Sequence, residues 1–287
     1  MPLILHDIAI DTLTGRIAAL RGGPAGAVPV LALHGWLDNA ASFVPLARHL
    51  HGIDLVAIDL PGHGRSAHLP IGMAYTMEAA VHQVLDVADA LGWERFVLLA
   101  HSLGAGIASL LASACPDRVQ RMVCIEALGG LPELPERTAE RLQRSVAGFR
   151  ALRSKSLRVF DSVDAAIAAR MRANALSEPV ARLLVERGIR PVDGGSVWSS
   201  DPRLTVDTFM RPTDAQIEDA IAGIACPVQV VLADPAQPYA PEPMRRRYAA
   251  RLRHGSVHRF DAGHHLHMEM PEAVAAVIGG FLAGTDP

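Results

Sequence analysis

The chain has 287 residues, half of them hydrophobic and 20% charged, with a formal net charge of −3. That composition excludes a disordered acidic or basic tail protein, and so near a balance of charge lacks the electrostatic footprint of a nucleic-acid binder. A sizeable core can be buried without disulfide or metal staples, which points to a globular protein acting on something small or neutral.

The opening stretch MPLILHDIAIDTL carries no basic leader and is interrupted by acidic residues, so it does not read as a signal peptide. No apolar run reaches the ~18 residues that span a bilayer, and no membrane insertion is expected. Cys115, Cys124 and Cys226 are too few and too scattered for a disulfide framework or a metal knuckle. Buried, reduced thiols in a cytoplasmic protein are the expectation.

In chain order, β-branched apolar runs predict strands at Leu3–Ile10 and Ile17–Arg21, joined through Thr14-Gly15 as a hairpin, and at Val28–Leu33 and Leu55–Asp59. Helical spacing follows from Thr76 to Leu91, stopped by Gly92. A strand at Phe96–Ala100, a helix from just after Ser102 to about Ala114, and a strand at Met122–Glu126 come next. From Gly129 to about Gly223 no run reads as a buried strand; Glu136–Phe149, Val163–Ala175 and Glu178–Gly188 read as arginine-rich amphipathic helices, and Asp193–Asp201 as a polar break. Strands resume at Val228–Ala233 and Ser256–Phe260. Most of these strands are continuous apolar runs, as in a parallel sheet covered on both faces. The economical organisation is an α/β core of residues 1–129 and 224–287, with 130–223 inserted as a helical cap.

The most informative stretch is Phe96 to Gly106, FVLLAHSLGAG. A strand, a sharp turn carrying Ser102, and a helix flanked by small residues form the context of a nucleophile elbow, in which the hydroxyl stands exposed above the sheet. Ala100 stands where the motif usually begins with glycine. A serine hydroxyl is a poor nucleophile at neutral pH and needs a base within hydrogen-bond reach.

With that elbow, LHGW (Leu33 to Trp36), DLPGHGRS (Asp59 to Ser66) and AGHHLHME (Ala262 to Glu269) followed by Pro271 occur in an order that resembles the α/β-hydrolase fold family over nearly the whole chain. HGWLDNAASF, RMVCIEALGGLP, RGIRPVDGG and VWSSDPRL resemble its serine-hydrolase-like branch. The resemblance implies an eight-stranded, mostly parallel sheet with an inserted helical cap. It implies Ser102 as nucleophile and His264 as base, with His265 and His267 competing on sequence alone. The backbone N–H groups of Trp36 and Leu103 are implied as the oxyanion hole, and His34 as a brace for the oxyanion loop.

The acid departs from the family pattern. In most relatives an aspartate lies a few residues past the seventh strand; here the matching position is Ala236, and Asp234 falls two residues early. Either Asp234 serves through a shortened loop, or the acid has moved to the end of the sixth strand, where Glu126 stands. Haloalkane dehalogenases, related by fold, commonly use that sixth-strand position. Trp36, His101 and Trp198 are candidate pocket-lining residues, while Arg245, Arg246 and Arg247 read as a solvated helix face.

The expected function is hydrolysis of small, apolar carboxylic esters through an acyl-enzyme, without metal or organic cofactor. C–C bond hydrolysis of diketones or dienoic acids uses the same residues and is the enzymatic alternative. A ligand-binding protein that keeps the triad but turns over little is the alternative from another class.

Overall fold

Residues 2–154 and 156–285 are described in a computed structural model of the chain. It opens with the antiparallel hairpin β1 (His6–Thr12) and β2 (Gly15–Gly22). There follow β3 (Val28–Leu33), the single-turn α1 (Val44–Ala47), β4 (Ile53–Ile58), α2 (Met77–Ala90), β5 (Phe96–His101), α3 (Leu103–Ala114) and β6 (Val119–Ile125). Next come α4 (Thr138–Ala151), α5 (Val163–Asn174), α6 (Glu178–Gly188), the short hairpin β7 (Ile189–Val192) and β8 (Gly195–Trp198), and α7 (Asp214–Ala222). The remainder is β9 (Val228–Asp234), α8 (Glu242–Ala249), β10 (Gly255–Asp261), α9 (Leu266–Glu269) and α10 (Pro271–Ala283). No helix among the described residues is long and apolar enough to cross a membrane.

Eight strands form one sheet in the order β1-β2-β4-β3-β5-β6-β9-β10. Pairing is parallel from β4 to β10, and only the contacts of β2 are antiparallel. Every residue of β4 and β5 is buried. Alternation along the strands divides the core between the two faces. In β3, Leu31 and Leu33 join the layer of α2 and α3, whereas Val30 and Ala32 join that of α1 and α10. The strand order reverses around β3 and β5, and parallel sheets open a ligand crevice at the carboxyl ends of the strands flanking such a reversal. β1 begins later than the expected Leu3–Ile10, because Leu3 docks on α1, its N–H bonded to the Ala47 carbonyl at 3.3 Å and its side chain buried.

β6 and β9 are sheet neighbours, Met122 opposite Val228, although α4 to α7 lie between them in sequence. α5 and α6 pack on each other around Ile167, Ala181, Leu184 and Val185, a cluster separate from the sheet layers. α7 differs from the sequence expectation that placed it with the cap. Its Ile217 and Ile221 belong to the core layer under the sheet, and it packs on α3. The hairpin β7-β8 pairs only with itself and, through Ser196, with Phe160, and does not join the main sheet.

Asp59, fully buried after β4, fastens α6 to the sheet. Its carboxylate accepts the N–H groups of Ala40 (2.7 Å) and Arg65 (2.8 Å) and Nε of Arg187 (2.9 and 3.0 Å), while Arg187 Nη1 continues to Asp7 at 2.6 Å. Breaking a buried ion pair by removing one partner leaves an uncompensated charge. Arg187→Met is therefore expected to destabilise the protein by about 3 kcal/mol in denaturant unfolding; a loss below ~1 kcal/mol would show that Asp59 finds other compensation.

Candidate active site

Ser102 links β5 to α3 with φ 50° and ψ −113°, a left-handed conformation that side chains other than glycine rarely adopt. Such strain costs about 1–3 kcal/mol and persists only where the surroundings over-determine it. Here Ser102 N–H is held by the Ile125 carbonyl at 2.9 Å, and Gly104 N–H by the His34 carbonyl at 3.1 Å. Gly104 cannot be larger, since a Cβ would lie 2.1 Å from the Leu33 carbonyl oxygen. The tight turn lifts the serine hydroxyl into the crevice at the strand ends.

The hydroxyl meets His264, whose Nε2 lies 3.0 Å from Ser102 Oγ. On the other side of the ring, Nδ1 lies 3.0 Å from Glu126 Oε2. The network assigns the tautomer: Nδ1–H donates to the carboxylate, leaving the Nε2 lone pair to accept from serine. Glu126 follows β6 in another positive-φ conformation (64°), its N–H bonded to the Val231 carbonyl at 2.8 Å. Its carboxylate is buried and also accepts the N–H of Ala233. The structure thus brings Ser102, His264 and Glu126 together. Asp234, the alternative acid, is exposed, and among the described residues its carboxylate has no hydrogen-bond or ion-pair partner.

His265 and His267 are placed elsewhere. His265 Nε2 donates to Asp38 at 3.2 Å, and His267 is wholly buried, where desolvation and the neighbouring His265 push its pKa down to about 3. Burial pushes the Asp38 carboxyl up, but the hydrogen bond and charge of His265 and the Arg170 guanidinium outweigh that and hold it well below the ordinary carboxylate range. Arg170 reaches it from α5, so Asp38 ties the helical insertion to both the loop after β3 and the histidine loop. His101 is buried in the cavity floor. Its Nε2–H donates to the His264 carbonyl at 3.0 Å, and desolvation, followed by the surrounding histidines, lowers its pKa well below the usual value. It is therefore a neutral brace for the histidine loop.

His34 accepts the Leu60 N–H at Nε2 (2.9 Å) and donates from Nδ1 to the Gly35 carbonyl (2.7 Å). Desolvation depresses its pKa to about 4, so it braces the loop as a neutral ring. Beyond it, the Trp36 N–H and the Leu103 N–H at the start of α3 have no acceptor among the described residues. Both residues line the same cavity as Ser102. The Trp36 indole is half exposed and donates to the Leu204 carbonyl at 2.9 Å.

The cavity measures about 770 Å3. Its wall includes Met77, Ile107, Leu128, Val230, Leu232 and Met244, with Ser102, His264 and Glu126 among the polar groups. Trp198, expected to line it, does not. Its ring packs edge-on against Phe160 at 5.2 Å in the α5–α6 cluster, because β8 pairs with β7 and turns the indole toward those helices. Asp201 and Arg203 are bonded to each other, and Tyr75 Oη donates to Asp201 at 2.8 Å.

Two residues at the site carried no signal in the sequence. Tyr239 brings its hydroxyl oxygen to 3.3 Å from His264 Nδ1. Arg245, expected on a solvated face, is buried against Glu126, with Nη2 3.4 Å from both carboxylate oxygens. One arginine in three turns inward because successive helical residues point about 100° apart, and α8 presents Arg245 together with the buried Tyr248 to the sheet. Among the described residues no group of three or more histidine, cysteine or acidic side chains is arranged to hold a metal.

Residues 28–191 match the family described as alpha/beta hydrolase fold. A serine hydrolase-like protein of Danio rerio is 30% identical over 93% of this chain and 86% of its own length. A probable serine hydrolase of Drosophila melanogaster is 30% identical over 96% of this chain and 87% of its own. The crystal structure of a hypothetical protein from Pseudomonas aeruginosa PAO1 superimposes with a TM-score of 0.92 at 38% identity, covering 96% of this chain and 99% of that one. With the eight-stranded sheet, the elbow at Ser102 and these relatives, the chain belongs to the alpha/beta hydrolase fold family, among its serine hydrolase-like proteins.

Proposed function

We propose that the protein is a serine hydrolase that cleaves small carboxylic esters with an apolar acyl group through an acyl-enzyme. The observation that carries this reading is the unbroken chain from Ser102 Oγ through His264 to Glu126, with both contacts at 3.0 Å. As Oγ attacks the ester carbonyl, its proton passes to His264 Nε2, and Glu126 stabilises the imidazolium. In this reading the N–H groups of Trp36 and Leu103, which have no acceptor among the described residues, receive the oxyanion, a contribution of about 10²–10³ in rate per donor in related chemistry. Collapse expels the alcohol, which takes the proton back from Nε2. Water then repeats the sequence on the acyl-enzyme, with His264 again as base. The mostly aliphatic cavity wall supports an apolar acyl group.

A fluorophosphonate probe is expected to label Ser102 stoichiometrically, and p-nitrophenyl esters to be turned over with a burst of p-nitrophenol. Absence of both labelling and turnover in folded protein would favour a binding protein instead.

A further inference from the structure

Arg245 makes a contact that ester hydrolysis by serine, histidine and glutamate does not itself require. Its guanidinium is buried, with Nη1 donating to the Ala233 carbonyl at 2.8 Å and Nη2 facing both oxygens of Glu126 at 3.4 Å. The next two arginines of α8 are exposed and paired outward, Arg246 with Glu242 and Arg247 with Asp214 and Glu218. A buried carboxylate needs a positive partner. His264 supplies one only while protonated, and in that state it cannot accept the serine proton.

We propose that Arg245 is a positioning residue that serves as the permanent counter-ion of Glu126, keeping the carboxylate charged while His264 is neutral and ready to act as base. With Arg245 present, loss of the His264 proton leaves Glu126 and Arg245 as a neutral buried pair. Without it, the same step leaves a lone buried anion, so the imidazolium is retained to higher pH. The other groups facing His264 are Ser102 and His101 from the elbow, Tyr239 from the loop after β9, and His265 beside it. Tyr239 also lies in the field of Glu126 and Arg245. None of these carries a fixed positive charge, whereas Arg245, behind Glu126, does.

The rate measurement rests on the hydrolase reading above, so two readouts are taken. In Arg245→Gln, which keeps a donor for Ala233, the acidic limb of the kcat/KM–pH profile is expected to move up by about one unit. Activity then falls about 10-fold on that limb and returns to near the wild-type plateau at alkaline pH. Arg245→Lys, which keeps the charge, is expected to restore the wild-type limb. The titration midpoint of the His264 ring resonances, followed by NMR, is expected to move in parallel and needs no turnover. Should Arg245→Gln not fold, the double variant Glu126→Gln with Arg245→Gln buries neither charge, and its His264 midpoint is expected above that of Glu126→Gln alone. A uniform loss of activity at every pH with an unmoved midpoint would reduce Arg245 to a structural brace and overturn the proposal. Inactive wild-type protein whose His264 midpoint still follows Arg245 would overturn the hydrolase reading and leave the counter-ion role standing.

Discussion

Ser102→Ala protein is expected to lose ester turnover by about 10⁴–10⁶-fold in kcat, the range seen when a triad nucleophile is removed and only binding and the oxyanion donors remain. The substitution deletes one hydroxyl and its contact to His264 and leaves the backbone path through the elbow unchanged. Stability should shift by under ~1 kcal/mol. Binding of a non-hydrolysable ester analogue should survive, since the cavity wall is built by other residues. Denaturant unfolding, analogue titration and p-nitrophenyl ester kinetics on one preparation separate these effects. Turnover near the wild-type rate in purified Ser102→Ala would remove the serine from the mechanism.

Glu126→Gln comes next in size, with a fall in kcat of at least ~10²-fold and little change in KM. A carboxylate on Nδ1 fixes the imidazole tautomer and stabilises the imidazolium. A glutamine can turn its amide N–H toward His264 and favour the wrong tautomer, which costs up to ~10⁴ in well-studied triads. The substitution also leaves Arg245 facing a neutral group, so a stability loss of about 3 kcal/mol should accompany it. Asp234→Asn is the control. Its carboxylate is exposed and unpaired among the described residues, and activity should stay within about 2-fold of wild type. A larger loss in Asp234→Asn than in Glu126→Gln would return the acid to the end of β9.

The elements bounded by strong punctuation were legible to the residue. β3 lies at Val28–Leu33, α3 starts directly after Ser102, and α6 runs from Glu178 to Gly188, each as the apolar pattern and its glycine or proline flanks indicate. What was missed lies where local pattern and tertiary outcome diverge. β7 and β8 have four residues each and are mostly half exposed, so neither shows a buried run. α7 is short, and its capping box at Thr213 and Gln216 is polar chemistry that also suits a loop. Arg245 is indistinguishable from Arg246 and Arg247 in one dimension; only the docking of α8 against β9 decides which of them is buried. Trp198 stands beside a recognisable turn, but the direction of its indole depends on strand pairing that the sequence does not display.

The pairing of β6 with β9 has a consequence for biosynthesis. Glu126 and Ser102 each meet His264 across long separations, 138 and 162 residues. Contacts so distant in sequence close a large loop and form late, so no functional constellation exists until the C-terminal strands have emerged and docked. Until then β6 is an unprotected sheet edge whose Met122, Val123, Cys124 and Ile125 are completely buried in the finished protein. A nascent or truncated chain ending before Val228 would present that apolar edge to its neighbours, a template for intermolecular strand addition. Once β9 and β10 are in place the exposed edge becomes β10, whose alternate residues are solvated and whose Arg259 is paired with Glu242. The last strands therefore cover that edge as well as bringing His264 to Ser102 and Glu126.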